Sequence, residues 1–428
     1  MLPPLLVFLL SLFIIAFTRP TKAPLVPDGP ERGFYLDRPA GALLGALGML
    51  LVGGVTTAEA LHQAVNYDTL ILLFSMMVVC SYMVEARLFR FVSWLTLTHV
   101  QNARWLLVTV VMMSGLLSAV LVNDTICLMV TPLVVQCCRD AKLRPLPFLL
   151  AVCFGANAGS VATPTGNPQN MIIGTLSGIP YLRFVLALGL PALLSLAVVA
   201  GLLLWLFRRE LPVARLPVAA LARPSLDPQL AALCVLALAL ILIGFSLGYS
   251  LAWTSLGGAA LLILLGRRTP RRVLERVDYV LLLFFAALFV VVYGVGKAGI
   301  AEALFRHLQP VLGDSALRQV AIFGGFTLVI SQLVSNVPFV LLAGHWIPHF
   351  KDPQLMWLST ALVSTLAGNL TIVGSVANII VLDSAQSALG EQGKVGFWEF
   401  LRYGAVVTAA TTVLALLTLC AERHFGLI

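Results

Sequence analysis

The residue best placed to do chemistry in this chain is a carboxylate in the middle of an apolar run. Asp124 stands in Leu121-Val122-Asn123-Asp124-Thr125, with hydrophobic stretches on both sides. An acid at such a depth costs on the order of 2.5 kcal/mol or more and marks an ion or proton pathway. Protons and cations compete for such a group. The structural alternative is a cap, in which Asp124 accepts the N–H groups that open the next helix. Three more polar interruptions accompany it. They are Ala162-Thr163-Pro164-Thr165-Gly166-Asn167-Pro168-Gln169-Asn170, then Leu333-Val334-Ser335-Asn336-Val337-Pro338, then Leu370-Thr371-Ile372-Val373-Gly374-Ser375-Val376-Ala377-Asn378. Laid over one another, Asn123-Asp124 meets Ser335-Asn336, Thr163 meets Thr371, Gly166 meets Gly374, Asn167 meets Ser375, and Asn170 meets Asn378.

Such interruptions have a definite chemistry. A helix that stops in mid-membrane leaves bare N–H groups on one half and bare carbonyls on the other. The N–H ends suit an anion; the carbonyls, with Asn, Ser and Thr oxygens, suit a hard cation such as Na⁺. Pro164 and Pro168 each remove a donor, and Gly166 between them opens backbone angles that other residues avoid. None of the four motifs contains a basic residue, so an anion held there relies on helix ends, amides and a co-bound cation. Irregular backbone at membrane depth is tolerated only inside protein or beside a water-filled cavity, and paired breaks in two halves point to one binding site.

The elements that position these motifs follow from composition. Of 428 residues, 60% are hydrophobic and 11% charged, which excludes an ordinary soluble fold. Apolar runs able to cross a ~30 Å hydrocarbon layer define an all-α polytopic membrane protein of about ten transmembrane helices. The net charge of +8 comes from arginines clustered in short loops, Arg208, Arg209, Arg215 and Arg223, then Arg267, Arg268, Arg271, Arg272 and Arg276. That clustering marks the cytoplasmic side rather than a nucleic-acid-binding face. Residues 1–207 form one half, with scaffold spans, a hairpin over 105–138 and a broken helix over 148–176. A cytoplasmic linker, 208–228, leads to the second half, 229–428, with a hairpin over 319–347 and a broken helix over 355–389. The first span is read as retained rather than cleaved, and the stretch Thr18–Arg38 as cytoplasmic. Basic residues between spans put the first hairpin's base on the cytoplasmic side and the second's on the opposite one, so the repeats are inverted.

Other features carry less. The seven cysteines have no metal-site spacing and read as core residues. His345 and His349 stand four apart but Pro348 interrupts them. Glu85, at a span end, is expected to reach to the interface. The Asn123 and Asn369 triplets match a glycosylation pattern in the membrane interior, where it cannot be used. No HExxH, P-loop or GxSxG occurs, so neither a hydrolase nor an ATP-driven pump finds its residues.

At Leu121–Pro132, Gly155–Gly174, Ser331–Leu342 and Gly368–Val381 the chain resembles the ion transporter superfamily. The similar group contains arsenite-pump permeases, NhaD-type sodium/proton antiporters and citrate/dicarboxylate permeases. The resemblance implies a secondary transporter of inverted repeats, often a homodimer, with a scaffold and a moving transport domain. Dicarboxylate members carry Ser-Asn-Thr at both tips, whereas this chain has Asn123-Asp124-Thr125 and Ser335-Asn336-Val337, closer to the arsenite-pump and NhaD-like branch. The reading is therefore an ion-coupled carrier of a small inorganic or carboxylate anion in the cytoplasmic membrane, working by elevator-like alternating access, with Na⁺ or H⁺ as coupling ion and no other cofactor. Asn123, Asp124, Thr163, Gly166, Ser335, Asn336, Thr371 and Gly374 are expected to hold the ion, and Thr125, Asn167, Asn170, Ser375 and Asn378 to face the substrate. A sodium/proton antiporter, an arsenite-type efflux permease and a passive channel are the alternatives. No enzymatic activity is expected.

Overall fold

The computed structural model describes residues 2–17, 37–97, 100, 102–212 and 224–427, and among these every regular element is helical. Most of the Thr18–Arg38 stretch and of the linker, with Arg215 and Arg223, lies outside the described residues. The first half opens with α1 (Leu2–Phe17) packed on α2 (Arg38–Leu51). Small residues permit that approach: a Cβ on Gly41 would meet Ile14, and one on Gly45 would meet Ser11. A short α3 (Thr57–Glu59), capped by Thr56, leads to α4 (Tyr67–Glu85), capped by Asn66. Next comes α5 (Leu88–Leu97), where charge alone reads as a loop. Leu88, Phe91, Val92 and Leu95 recur at helical spacing there, with Arg90 between them and Arg87 just before concealing the pattern. The hairpin is α6 (Ala103–Val120) with α7 (Asn123–Asp140), and the broken helix is α8 (Leu146–Ser160) with α9 (Pro168–Leu176). A long α10 (Tyr181–Leu206) completes the half.

The second half repeats this order. It runs α11 (Pro228–Ser246), α12 (Leu251–Leu265), a short α13 (Pro270–Leu274), α14 (Tyr279–Lys297) and a surface helix α15 (Ile300–Leu312). The hairpin α16 (Ala316–Val334) with α17 (Asn336–Ala343) follows, then the broken helix α18 (Pro353–Ala367) with α19 (Val376–Leu389), and α20 (Phe397–His424).

Side-chain contacts at the two ends establish the inversion. Lys297, closing α14, pairs with Glu59 at 2.7 Å, and Tyr293 donates to Gln63 at 2.6 Å, so α14 ends where α4 begins. At the other end Glu85 of α4 pairs with Arg272 at 3.2 Å and Arg276 at 2.8 Å, just before α14 starts. Thus α4 and α14 run in opposite directions. The hairpins follow suit: the first leaves from α5 at the Glu85 end, while Trp346 beyond the second donates to Ala301 at the Lys297 end. Glu85, the last residue of α4, turns its carboxylate to Arg272 and Arg276. Its side chain is 8% exposed, because two guanidiniums offset the cost of burying it.

The halves interlock rather than sit side by side. Helix α2 packs on α14 of the other half, and α12 packs on α4. Likewise α19 packs on α7, and α9 on α17. Within the first half α6 and α8 touch backbone to backbone, since a Cβ on Gly159 would collide with Gly115. Among the described residues seven helices are long and apolar enough to span a bilayer, and four shorter apolar helices join them. Leu186, Leu190, Leu193, Val413 and Leu417 stand exposed on the outer surface, as lipid contact requires. The chain is a multi-pass membrane protein. All seven cysteines are free and six are buried.

Candidate functional site

All four interruptions are real breaks, and the fold brings them together. Residues 121–122 separate α6 from α7, and residues 161–167 separate α8 from α9. Ser335 separates α16 from α17, and residues 368–375, with one 3₁₀ turn, separate α18 from α19. Asn167 caps α9 by accepting the Asn170 N–H at 2.8 Å. The two breaks are tied by matching hydrogen bonds. Asn170 Nδ2 donates to the carbonyls of Ser160 and Thr163, both at 3.1 Å, reaching back ten and seven residues. Asn378 Nδ2 does the same to Gly368 at 2.7 Å and Thr371 at 3.1 Å, again ten and seven residues back.

Two buried side chains lock one half onto the other, and neither stands in the motifs. Asn157 on α8 donates through Nδ2 to Asn369 Oδ1 at 2.9 Å and Asn378 Oδ1 at 3.2 Å. Its Oδ1 accepts from Asn123 at 3.3 Å and from Ser375 Oγ at 3.1 Å. The corresponding residue of the second half is Thr365 on α18. Its hydroxyl accepts from Asn167 at 3.2 Å and Gln169 at 3.3 Å, and donates to Asn170 Oδ1 at 3.3 Å. A polar residue in an apolar helix that lies one turn before a break was the available signal for both.

The hairpin tips pair in a different register from the sequence overlay. Asn123 opens α7 and donates its backbone N–H to the Gly166 carbonyl at 2.9 Å; Asn336 opens α17 and donates its side-chain amide to the Gly374 carbonyl at 3.1 Å. Structurally Asn123 therefore matches Asn336, and Asp124 matches Val337 rather than Asn336. Helix position decides the register, and the overlay had compared polar types alone. Both Asn123 and Asn336 keep a buried Oδ1 with no hydrogen-bond partner among the described residues. A buried acceptor left bare costs about 1–3 kcal/mol and calls for a ligand or other cause. The capping role considered for Asp124 is not realised, since Val122 occupies the cap position before α7 and no side chain caps the helix.

A cavity of about 210 Å³ joins the tips and breaks. Asn123, Asp124, Ser335, Asn336, Gly374 and Ser375 all face it. The remaining expected residues stand behind this wall. Thr163 donates to the Ala119 carbonyl at 2.6 Å, and Thr371 to Gln332 at 2.8 Å. Gly166 lies where a Cβ would strike the Ser160 carbonyl, while Asn167, Asn170 and Asn378 are fully engaged in the locks. Thr125 turns toward Cys80 of α4 and is not among the cavity residues.

Two charged residues from outside the motifs complete the wall. Arg38, read as part of a cytoplasmic stretch, opens α2 and reaches into the cavity, with Nη2 donating to the Val373 carbonyl at 3.3 Å. Its Nε is buried without a partner among the described residues. Asp278 caps α14 by accepting the Leu281 N–H at 2.9 Å and borders the same space. The cavity thus offers two carboxylates, two bare amide oxygens and one guanidinium, enough for a cation and an anion side by side. Among the described residues no cluster of His, Cys, Asp and Glu has the grouping of a transition-metal site.

The chain is similar to proteins named as transporters. The citrate transporter family matches residues 12–367. The silicon efflux transporter LSI3 of Oryza sativa subsp. japonica is 29% identical, over 89% of this chain and 92% of that protein. The arsB protein of Dictyostelium discoideum is 26% identical, over 94% of this chain and 89% of that one. The Neisseria gonorrhoeae MtrF structure, described with a class of antimetabolite efflux pumps, overlays with a TM-score of 0.60 at 12% identity, covering 98% of this chain and 93% of that one, and so shares the fold. With a match over most of its length, this chain belongs to the citrate transporter family of membrane transporters.

Proposed function

We propose that this chain is an ion-coupled secondary transporter that expels a small inorganic or carboxylate anion across the cytoplasmic membrane. The observation that carries the reading is the shared cavity, where Asp124 and the unpartnered Oδ1 atoms of Asn123 and Asn336 face Arg38. One bare oxygen per hairpin gives two related positions for a coupling Na⁺ or H⁺, with Asp124 supplying charge at the first. Arg38 supplies the positive charge that the four motifs lack, which favours an anion as cargo over simple exchange of two cations. Because Arg38 stands on α2 and the breaks belong to the other helices, sliding one set past the other releases the anion in an elevator-like cycle. The outward direction follows the silicon efflux and antimetabolite efflux named for the related proteins. A homodimer, as the resemblance implies, gives the scaffold a fixed partner in the bilayer.

The test is ion-driven exchange of radiolabelled arsenite, silicate, citrate and succinate in proteoliposomes. Wild-type protein should show saturable movement that responds to a Na⁺ or H⁺ gradient. Asp124→Asn should lose that response by at least about 100-fold, the scale of one uncompensated ionic contact, while eluting as a folded protein. Unchanged gradient dependence in Asp124→Asn refutes the coupling role, and an uncoupled current without saturation identifies a channel.

A further inference from the structure

A second polar cavity, away from the breaks, lies at the Glu85 end of the scaffold. It measures about 570 Å³ and is lined by Arg87, Arg90, Arg268, Arg272 and Arg276, against Glu85 and Asp227 as the acids. Three segments distant in sequence converge there: the α4–α5 corner, the end of the linker, and the α12–α14 connection. The acids are already engaged. Glu85 is shared between Arg272 at 3.2 Å and Arg276 at 2.8 Å, and Asp227 pairs with Arg268 while capping α11. Arg87 bonds only to neutral Ser225, from an αL backbone with φ 60° that turns its side chain to the cavity. Arg90 has no partner among the described residues. Five guanidiniums against two carboxylates leave three positive charges on one concave wall. Charge that merely sets topology can spread over a loop surface; here it is concentrated, half enclosed, and anchored on a carboxylate whose side chain is 8% exposed.

From this we infer a binding site for a phosphoryl group, either the headgroup of an anionic phospholipid or a free phosphate ion. Guanidiniums bind phosphate oxygens in pairs, which a point charge cannot do. Basic pockets between membrane helices on the cytoplasmic side have the shape and charge that such headgroups fill. Phe89 of α5 and Met129 of α7 line the same cavity, so the occupant touches both the first hairpin and the scaffold. The site is separate from the transport cavity, and the inference stands whatever the transported substrate is.

The test uses the full chain in nanodiscs of phosphatidylcholine, either with increasing phosphatidylglycerol or with inorganic phosphate added to the buffer. Thermal midpoints should rise with one of the two. A rise with lipid alone assigns the phosphoryl group to the bilayer, and a rise with phosphate alone assigns it to solution. In Arg87→Gln/Arg90→Gln the half-saturating amount should increase at least tenfold. In Arg271→Gln, whose side chain is 88% exposed and outside the cavity, it should stay unchanged. Should the double variant not fold, Arg90→Gln alone should still shift it at least threefold. No rise with either ligand overturns the site, and so does an equal response from the cavity variants and Arg271→Gln.

Discussion

The two hairpin tips are made of the same parts and held in different ways. At the first, Val122 has φ −61° and ψ 121°, an ordinary extended conformation, and the Asn123 backbone is anchored to Gly166. At the second, Ser335 has φ 71° and ψ 156°, a region that belongs to glycine, and only the Asn336 side chain reaches Gly374. Such a conformation costs about 1–3 kcal/mol and persists where its surroundings enforce it. The first tip carries the carboxylate and a relaxed chain; the second carries strain and Val337 in the carboxylate's place. Duplication has kept the frame and separated charge from tension.

The largest contrast should come from the two locks. Asn157→Leu strips partners from four polar groups and should cost about 3 kcal/mol or more, whereas Thr365→Val should cost about 1–2 kcal/mol. Denaturant titration in detergent reads both, and equal costs would mean the halves are locked symmetrically. Next come the break glycines. A methyl on Gly166 meets the fixed carbonyls of Ser160 and Ser118, but on Gly374 its first obstacle is the movable Gln332 side chain at 2.8 Å. Gly166→Ala should therefore lose about 2–3 kcal/mol and Gly374→Ala less than about 1 kcal/mol. Reversal of that order in the same assay would break the comparison.

Smaller effects sharpen it further. Ser335→Gly should gain about 1 kcal/mol by relieving the backbone, while Val122→Gly should lose about 0.5–1 kcal/mol through added freedom in the unfolded chain. A loss in both would show that Ser335 is not strained. The smallest effect lies at the outer latch between halves. Lys297 and Thr56 hydrogen-bond the Glu59 carboxyl and hold it down at about 2, below its usual 4.5. A depressed carboxylate adds stability above its unfolded value and loses it as pH falls toward the folded one. The midpoint difference between wild type and Glu59→Gln should thus be steady above pH 4.5 and vanish near pH 2. A difference that persists at pH 2 would assign the latch to packing.

Much of the frame was legible because its signals are local. Prolines and glycines at Pro164, Gly166, Pro168 and Gly374 break helices wherever they stand, and arginine-rich loops report sidedness without any tertiary knowledge. The hairpin register was not legible, since Asn123-Asp124 and Ser335-Asn336 look alike until the helix start is known. Asn157 and Thr365 were missed because their importance lies in partners about two hundred residues away. Arg38 and Asp278 were missed for a related reason: each sits at a span end, where charge is ordinary, and only the packing of α2 on α14 turns them toward one cavity.

That exchange of scaffold helices has a consequence for biogenesis. Helix α2 leaves the ribosome long before its partner α14 exists, a delay of roughly 10–50 s at usual translation rates. Until then only α1 covers α2, and the face that will meet α14, with the guanidinium of Arg38 bound for the Val373 carbonyl, waits for its partners. The insertion machinery or surrounding lipid must hold the nascent first half open, and assembly can close only as the last third of the polypeptide arrives.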